Sequence, residues 1–530
     1  MQDGLRRAVR WGRRTILVAV LASTMIPADA AASASHARLV VDTDRGLIRG
    51  SVVGGMTEFL GVPYAAAPVG DLRWRPPQPH ARWGGVRDAT SFGAHCPQGP
   101  SPFGIASTTE DCLFLNVFAP ARRDDESGHH LPVMLWIHGG ALVVGESNDY
   151  DPSLLVARGV IVVTINYRLG ALGFLAHPAL AAESPQGSSG NFGLLDQQAA
   201  MRWVRRNIRE FGGDPGSVTI FGESAGGLSV HEQLVSPLAH GLFARAIDES
   251  GAYMPRQQSL AGAEAAGSAF ANNAGCADQT AACLRGLPVT AILARQSGGT
   301  TSPNVDGFVL PSTIIAALQS GDFNRVPVVE GTNHDEWRLF VAEGELATHT
   351  PLSAAAYIPA IAATLRVPVA VAVATAIANA YPLNAFSSPS VALGAVGTDA
   401  IFACGARTFT GLLAEHVRTF QYEFDDPSAP MRFIPPVSFP TGAYHASELQ
   451  YLFNLTTPVP SPGLSAAQRH LSQTMVGYWT HFARTGSPNS ESTPNWPRYD
   501  AAQRFQSLVP GTSVTATGFG TEHHCALFGS

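Results

Sequence analysis

The sequence predicts an α/β fold, with a large, mostly parallel central sheet and helices on both faces. Three observations support this prediction. Several short apolar runs show no polar alternation, which is typical of strands buried on both faces. Segments with helical spacing separate these runs, as in a doubly wound sheet. A G-x-S-x-G pentapeptide directly follows one run, which indicates a sharp turn from a strand into a helix.

Four apolar runs bounded by turn residues are the predicted central strands. The strands of a parallel sheet are covered by helices on both sides, so their sequences are continuously apolar. The runs cover residues 133–137, 160–165, 218–221 and 326–329.

Two longer segments, residues 194–208 and 466–483, carry apolar residues at helical spacing and are predicted helices. Residues 353–380 are rich in alanine and valine, a composition also found in membrane spans. Pro359, Arg366 and Pro368 interrupt this segment, and the remaining pieces are too short to cross a bilayer. Packed helices are therefore predicted there.

The first 30 residues have the pattern of a bacterial export signal. Residues 1–14 contain five arginines, residues 15–26 are apolar, and Ala28-Asp29-Ala30 resembles a cleavage site. Arg13-Arg14 also fits a twin-arginine signal, and an uncleaved anchor is the alternative. We therefore predict that residues 31–530 form a single domain that is secreted or lies in the periplasm or cell envelope.

Charge and composition exclude several function classes. The net charge of −7 gives no basic surface for nucleic acid or anionic lipid. The chain contains no lysine, which excludes a lysine Schiff base and a P-loop. The C-terminal segment has no apolar tail, so no lipid anchor is predicted. The expected partner is a small molecule, and the sequence makes no prediction of oligomeric state.

Six cysteines occur in the chain. An even number in an exported protein favours three disulfides, although sequence alone does not choose among the possible pairings. No C-x-x-C pair is present, so neither a zinc site nor a redox dithiol is predicted.

The pentapeptide Gly222-Glu223-Ser224-Ala225-Gly226 indicates a nucleophilic serine. On such a turn the serine Oγ stands out from the sheet, and the flanking glycines avoid collisions with the neighbouring strand and helix. The pentapeptide alone is weak evidence, because a glycine-rich chain of this length can contain it by chance.

A second glycine-rich turn, His138-Gly139-Gly140-Ala141, follows the predicted strand at residues 133–137. Exposed backbone N–H groups in such a turn are the donors that the oxyanion of an acyl-transfer reaction requires. An ordinary glycine turn is the alternative when this segment is considered alone.

With these motifs in place, the chain resembles the type-B carboxylesterase and cholinesterase family of α/β-hydrolases, from about residue 40 to about residue 500. The segments that carry this resemblance are FLGVPY (59–64), LRWRPP (72–77), EDCLFLNV (110–117), NYRLG (166–170), NFGLLDQ (191–197), the nucleophile block (211–227) and YWTHFARTGSPN (478–489). The resemblance implies an α/β-hydrolase fold.

The resemblance also implies a catalytic triad of Ser224, Glu336 and His445, in the chain order of α/β-hydrolases. The residues alone support a carboxylate just past the strand at 326–329, because sites form at the C-terminal edge of a parallel sheet. They do not distinguish Glu336 from Asp335.

By the same resemblance, the oxyanion donors are the N–H groups of Gly140, Ala141 and Ala225. Many relatives have glycine where this chain has Ala141; alanine keeps its N–H, so the hole survives if the local φ is compatible. Trp337 is a second departure, since glycine often follows the acid, and it is expected to reshape the space behind the triad.

Further residues come from the resemblance. Glu223 is expected either to tune the histidine or position water, or to be a structural carboxylate. Ser250 is expected to hydrogen-bond to the triad. The implied disulfides are Cys96–Cys112, Cys276–Cys283 and Cys404–Cys525.

The predicted reaction is ester hydrolysis through an acyl-enzyme, with no metal or cofactor. Phe103 is the only aromatic residue between Cys96 and Cys112, where cholinesterases hold the choline cation on a tryptophan, so choline esters are not expected. That loop is too short for a lipase lid, so short-to-medium acyl esters are expected, as in bacterial para-nitrobenzyl-esterase-like enzymes. The alternatives are a lipase, an amide, carbamate or thioester hydrolase, and a non-catalytic binding protein.

Overall fold

A mixed sheet of 11 strands forms the centre of the fold in this computed structural model, which describes residues 39–121, 130–365, 371–457, 459–460 and 462–529. Val40–Ser530 form one compact unit. The predicted export signal at residues 1–30 lies outside the described residues.

The strands are numbered in chain order. They are β1 Val40–Thr43, β2 Gly46–Arg49, β3 Ser51–Val53, β4 Met56–Pro63, β5 Val86–Asp88, β6 Phe114–Pro120, β7 Leu131–Ile137, β8 Tyr150–Asp151, β9 Ile161–Ile165, β10 Gly213–Glu223, β11 Arg245–Glu249, β12 Gln258–Ser259, β13 Asn304–Val305, β14 Val328–Asn333, β15 Thr419–Phe424, β16 Asn454–Leu455, β17 Phe505–Leu508 and β18 Val514–Ala516.

The order of the main sheet is β18-β17-β15-β14-β11-β10-β7-β9-β6-β4-β3. The stretch from β17 to β9 is parallel throughout, and the outer pairs at both edges are antiparallel. This confirms the predicted mostly parallel sheet. The carboxyl ends of β7, β10 and β14 therefore lie at the same edge.

The α-helices are α1 Ser153–Val156, α2 Gly170–Phe174, α3 Pro178–Ala181, α4 Phe192–Asn207, α5 Ala225–Val235, α6 Leu260–Asn273, α7 Ala281–Gly286, α8 Val289–Arg295, α9 Ile314–Ser320, α10 Arg338–Thr348, α11 Tyr357–Thr364, α12 Val371–Ala380, α13 Pro389–Gly397, α14 Cys404–Ala414, α15 Ala466–Thr485 and α16 Phe519–Glu522.

The two faces of the sheet belong to two separate apolar clusters. Ile220 of β10 packs in a cluster with Leu228 of α5, whereas the next residue, Phe221, packs in a second cluster with Met475 of α15. Successive strand residues point to opposite faces, so a strand buried on both sides must be apolar at consecutive positions. This explains the continuous apolar runs in the sequence.

The predicted strands and helices are present with shifted bounds, and two of the shifts have a clear local cause. The predicted strand at residues 326–329 begins later, at Val328, because Pro327 has no N–H to donate to a ladder, and it continues to Asn333. The predicted helix at 466–483 extends to Thr485, with Ser465 and Gln468 forming a capping box at its start and Gly486 (φ 71°) ending it.

Within the described residues, one helical stretch is long and apolar enough to cross a membrane, Pro389–Ala414. This stretch comprises α13, a π-helical segment at Thr398–Ala403, and α14. Because 72% of its most apolar window is buried inside the fold, it has the character of a core helix.

Three disulfides link Cys96 to Cys112, Cys276 to Cys283 and Cys404 to Cys525, the pairing implied by the family resemblance.

Candidate active site

Ser224 occupies a strained turn between β10 and α5. Its backbone has φ 57° and ψ −119°, a region that non-glycine residues rarely adopt. The turn is held on both sides, because the Ser224 N–H donates to the Glu249 carbonyl (2.8 Å) and its carbonyl accepts from the Leu228 N–H (2.8 Å). Such strain is typical of a functional residue that the surrounding structure fixes in place.

The glycines of the pentapeptide are required by a close approach of β7. A Cβ at Gly226 would lie 1.9 Å from the Ile137 carbonyl oxygen, and one at Gly222 would lie 2.6 Å from the same atom. Both contacts are shorter than van der Waals distance, so larger residues would displace β7 or the turn. The turn is therefore set directly beside the end of β7, where the second glycine-rich segment begins.

His445 and Glu336 form a buried pair at the carboxyl edge of the sheet. Nδ1 of His445 lies 2.5 Å from Oε2 of Glu336. The other Glu336 oxygen, Oε1, accepts hydrogen bonds from the Ser250 hydroxyl (2.5 Å), the Thr332 hydroxyl (2.8 Å) and the Asn333 N–H (2.7 Å). These bonds hold the carboxylate in a single orientation toward the imidazole.

Asp335, which the sequence could not distinguish from Glu336, points elsewhere. Its carboxylate pairs with Arg338 (2.8 Å) and accepts the backbone N–H of Ala443 (3.0 Å). Asp335 thus anchors the segment that leads into His445, and Glu336 is the carboxylate that contacts the ring.

The second ring nitrogen of His445, Nε2, lies next to Glu223, the residue that precedes Ser224. Nε2 has no hydrogen-bond partner among the described residues and lies 3.2 Å from Oε1 of Glu223. The rings of Phe340 and Phe402 lie 5.3 and 4.9 Å from the imidazole, and both line the cavity that Ser224 enters. Ser224 therefore lines the cavity, and His445, in contact with Glu336 and Glu223, lies against two of the other lining residues, Phe340 and Phe402.

The carboxylates set the protonation of this histidine. Burial alone would lower the pKa of His445, but Glu223 and Glu336 outweigh it and raise the pKa to about 9. Burial raises the pKa of Glu223 well above its usual value, an effect that His445 opposes. Glu448, just past His445, has its pKa raised to about 7 by burial and by Glu336. Glu223 thus lies within 3.2 Å of His445 and raises its pKa, which favours a tuning role for Glu223.

We expect Glu223→Gln to shift the acid limb of the kcat/KM profile to lower pH. The base must be neutral to accept a proton, so activity rises as pH passes upward through the pKa of His445. Removing one negative neighbour lowers that pKa and makes neutral imidazole available at lower pH. A pH profile with a p-nitrophenyl ester measures the shift.

Glu345→Gln is the matched control. It removes a carboxylate that is hydrogen-bonded to Ser438, and it should leave the acid limb of the kcat/KM profile unchanged. A limb that stays fixed in Glu223→Gln, or moves to higher pH, would contradict the role assigned to Glu223.

The glycine-rich turn at residues 138–141 lies against Ser224. A Cβ at Gly139 would lie 3.2 Å from the Cβ of Ser224. Gly140 and Ala141 have φ of 100° and 55°, and the Gly140 carbonyl accepts the N–H groups of Val143 and Val144 (both 3.0 Å). The N–H groups of Gly140, Ala141 and Ala225 donate to no acceptor in the part of the chain that the structure describes. These are free donors beside the serine, as an oxyanion hole requires.

Ala141 therefore adopts the left-handed conformation that glycine favours. The cost for an alanine is about 1–2 kcal/mol. The start of this turn is braced at His138, three residues before Ala141: the Tyr167 hydroxyl donates to the His138 carbonyl (2.8 Å), and the Tyr167 ring stacks on the His138 ring at 4.6 Å. Ala141 therefore keeps its N–H but adopts a φ that favours glycine.

A cavity of about 520 Å³ opens above Ser224. This volume is in the range of small-molecule sites. None of the described lining residues is charged, and most are apolar: Ala141, Leu142, Val143, Ser224, Leu228, Tyr253, Met254, Gly298, Thr301, Ser302, Trp337, Phe340, Thr364, Leu365, Ile401 and Phe402. The cavity is thus suited to a neutral, largely apolar substrate group.

Trp337 separates this cavity from a second one. The second cavity has a volume of about 420 Å³ and shares Trp337, Phe340 and Thr364 with the first. The indole packs flat against Gly397, where a Cβ would lie 2.1 Å from the ring. Trp337 is held in this position by a glycine on α13, so it forms a built-in partition.

Sequence reasoning missed several residues of the site. Thr332 precedes Glu336 by four residues and Glu448 follows His445 by three, so their position in the chain was the available signal. Phe340 and Phe402 lie on α10 and in the π-helical segment, and no local motif marks them. Their role emerges only from the packing of these helices over His445.

The chain matches known proteins over almost its whole length. The model of a family described as the carboxylesterase family matches residues 37–527. Fumonisin B1 esterase of Sphingopyxis macrogoltabida is 35% identical, with 93% of this chain and 90% of that protein aligned. Para-nitrobenzyl esterase of Bacillus subtilis strain 168 is 35% identical, with 90% and 95% aligned. Cocaine esterase of Homo sapiens is 34% identical, with 88% and 87% aligned.

Proposed function

We propose that this chain, which belongs to the carboxylesterase family, hydrolyses short-to-medium-chain esters through an acyl-enzyme on Ser224. Family membership and the esterases among its relatives make the protein a carboxylic ester hydrolase that acts on small-molecule esters. The triad, the acyl-chain range and the place of action are the proposed parts.

Acylation begins with Ser224. Nε2 of His445 takes the hydroxyl proton as Oγ attacks the ester carbonyl. Glu336 holds the proton on Nδ1 and stabilises the imidazolium, while the N–H groups of Gly140, Ala141 and Ala225 receive the carbonyl oxygen as it becomes negative. The tetrahedral intermediate collapses when the alcohol leaves with the proton from Nε2, and the acyl group stays on Oγ.

Deacylation repeats these steps with water. Nε2 of His445 takes a proton from a water molecule that attacks the acyl carbonyl. The second tetrahedral intermediate releases the carboxylic acid and returns the proton to Oγ. The atoms balance without a further co-reactant.

The observation that carries the proposal is the strained serine beside an oriented histidine–carboxylate pair. Ser224 has φ 57°, and the His445–Glu336 contact is 2.5 Å. N–H groups without an acceptor among the described residues lie near the serine, which supports the proposed roles of nucleophile, base, acid and oxyanion donors.

The substrate range is proposed from the cavity. Its lining carries no charged side chain among the described residues, so it favours neutral acyl groups. We also propose that the enzyme acts outside the cytoplasm, because three disulfides persist best in an oxidising compartment.

A rate profile over p-nitrophenyl esters from acetate to palmitate tests this function. We expect kcat/KM to be highest for short-to-medium acyl chains, with no activation by an oil–water interface. A maximum at the longest chains with interfacial activation would favour a lipase, and preference for matched amides or thioesters over esters would overturn the proposed substrate class.

Trp337→Ala is expected to move the optimum toward longer acyl chains. Removing the partition joins the two cavities, and each methylene newly buried contributes about 0.8 kcal/mol, or roughly fourfold in kcat/KM. The same ester series measures the shift. Leu352→Ala, which changes only the second cavity, is the matched control and should leave the profile unchanged. An unchanged profile in Trp337→Ala would show that the indole does not limit chain length.

A further inference from the structure

Three ionisable residues meet in the core on the sheet face covered by α5. Asp248 of β11 and Glu330 of β14 are direct neighbours in the parallel register, so their side chains point to the same face. His231 comes from α5, which packs on that face. All three side chains have 0% exposure.

The distances within this cluster are those of ligands around one ion. Nε2 of His231 lies 3.3 Å from Oδ2 of Asp248 and 3.3 Å from Oε2 of Glu330. A charge-assisted hydrogen bond between nitrogen and oxygen is shorter, about 2.7–2.9 Å. Two ligand atoms bound tetrahedrally to zinc at about 2.0–2.2 Å are separated by about 3.4 Å.

The polar atoms of the cluster lack other partners. Both ring nitrogens of His231, both carboxylate oxygens of Glu330 and Oδ1 of Asp248 have no hydrogen-bond partner in the described ranges. Oδ2 of Asp248 accepts only the Gly251 N–H (3.1 Å). Buried polar groups are nearly always satisfied, so this group of unsatisfied atoms indicates a missing partner.

We infer that His231, Asp248 and Glu330 bind a structural zinc ion. One imidazole nitrogen and two carboxylate oxygens form a ligand set that suits zinc, and its double positive charge neutralises two carboxylates in a dry environment. Gln421, the register neighbour of Glu330 on β15, has both amide atoms unpartnered and offers a further oxygen. No spacing motif predicts this site, because its ligands come from a helix and separate strands.

The location makes this ion structural rather than catalytic. The ring of Phe409 on α14 packs edge-on against His231 at 4.8 Å, and the surrounding cluster is apolar. The ligands are fully buried, so the ion must enter while the chain folds and then ties α5 to β11 and β14. The proposal is independent of the esterase reaction, which needs no metal.

The metal content of the whole protein tests the proposal. The untagged chain, produced in zinc-supplemented medium, is washed with EDTA to strip surface ions, and its zinc is measured by mass spectrometry. We expect about one zinc per chain in the wild type, retained through the wash because the site is closed to solvent. A wild type with less than about 0.2 zinc per chain would overturn the inference and show that protons, not a metal, balance the cluster.

Variants assign the zinc to these residues. Glu330→Gln and His231→Gln should each lose the ion in the correctly folded fraction isolated by size exclusion. The matched control is Glu232→Gln, because Glu232 follows His231 on α5, is equally buried and has both oxygens unpartnered, yet lies outside the cluster. Zinc retained in both ligand variants, or lost equally in Glu232→Gln, would overturn the assignment; if neither ligand variant folds, the wild-type content alone decides.

Discussion

Ser224→Ala is expected to lower kcat for a p-nitrophenyl ester by about 10⁵–10⁶-fold, with KM little changed. The substitution removes the only atom to which the acyl group becomes attached. The remaining rate comes from the oxyanion donors and from binding, which the variant keeps. Steady-state kinetics with the purified variant measure the loss.

Ser217→Ala is the matched control for this loss. Ser217 lies on the same strand, β10, and its hydroxyl accepts a hydrogen bond from Arg245 (3.1 Å), away from the cavity. Its activity should stay within about twofold of the wild type, as expected for a surface position. If Ser224→Ala kept more than a trace of activity while folding normally, a different nucleophile would be at work.

Glu336→Gln is expected to lower kcat by about 10⁴-fold. In the proposed mechanism, Glu336 keeps a proton on Nδ1 of His445, which leaves Nε2 free to act as the base. A glutamine amide can donate to Nδ1 and so stabilise the wrong tautomer, and it cannot stabilise the imidazolium. The loss should appear in kcat and in kcat/KM alike, because the interaction strengthens in the transition state.

Asp335→Asn separates this effect from general damage to the loop. Asp335 is adjacent, acidic and buried, but it contacts Arg338 and the Ala443 N–H instead of the imidazole. Asparagine still accepts that N–H, so we expect less than about a tenfold loss. Equal losses in the two variants would mean that Glu336 acts through the fold and not through His445.

The elements that depend on neighbouring residues in the chain could be predicted from the sequence. The apolar runs of β7, β9 and β10 had to be parallel strands because both faces are covered, and the glycines around Ser224 had to form a tight turn. The resemblance to the family supplied the distant partners, Glu336 and His445. Neither periodicity nor composition selects one histidine among the 17 in the chain.

Other features depend on tertiary packing and could not be predicted. The choice between Asp335 and Glu336 follows from which carboxylate the chain turns toward the imidazole. The partition by Trp337 depends on Gly397, which lies on another helix. The cluster of His231, Asp248 and Glu330 requires the register between β11 and β14, and each residue alone resembles an ordinary buried polar group.

Covalent trapping tests the central claim most directly. The enzyme is incubated with a reactive organophosphate, digested, and mapped by mass spectrometry, while the loss of esterase activity is followed in parallel. We predict one adduct per active chain, located on Ser224 and absent from Ser224→Ala, with labelling proportional to inactivation. Complete inactivation with the adduct on another residue, or full labelling of Ser224 with activity retained, would contradict the mechanism.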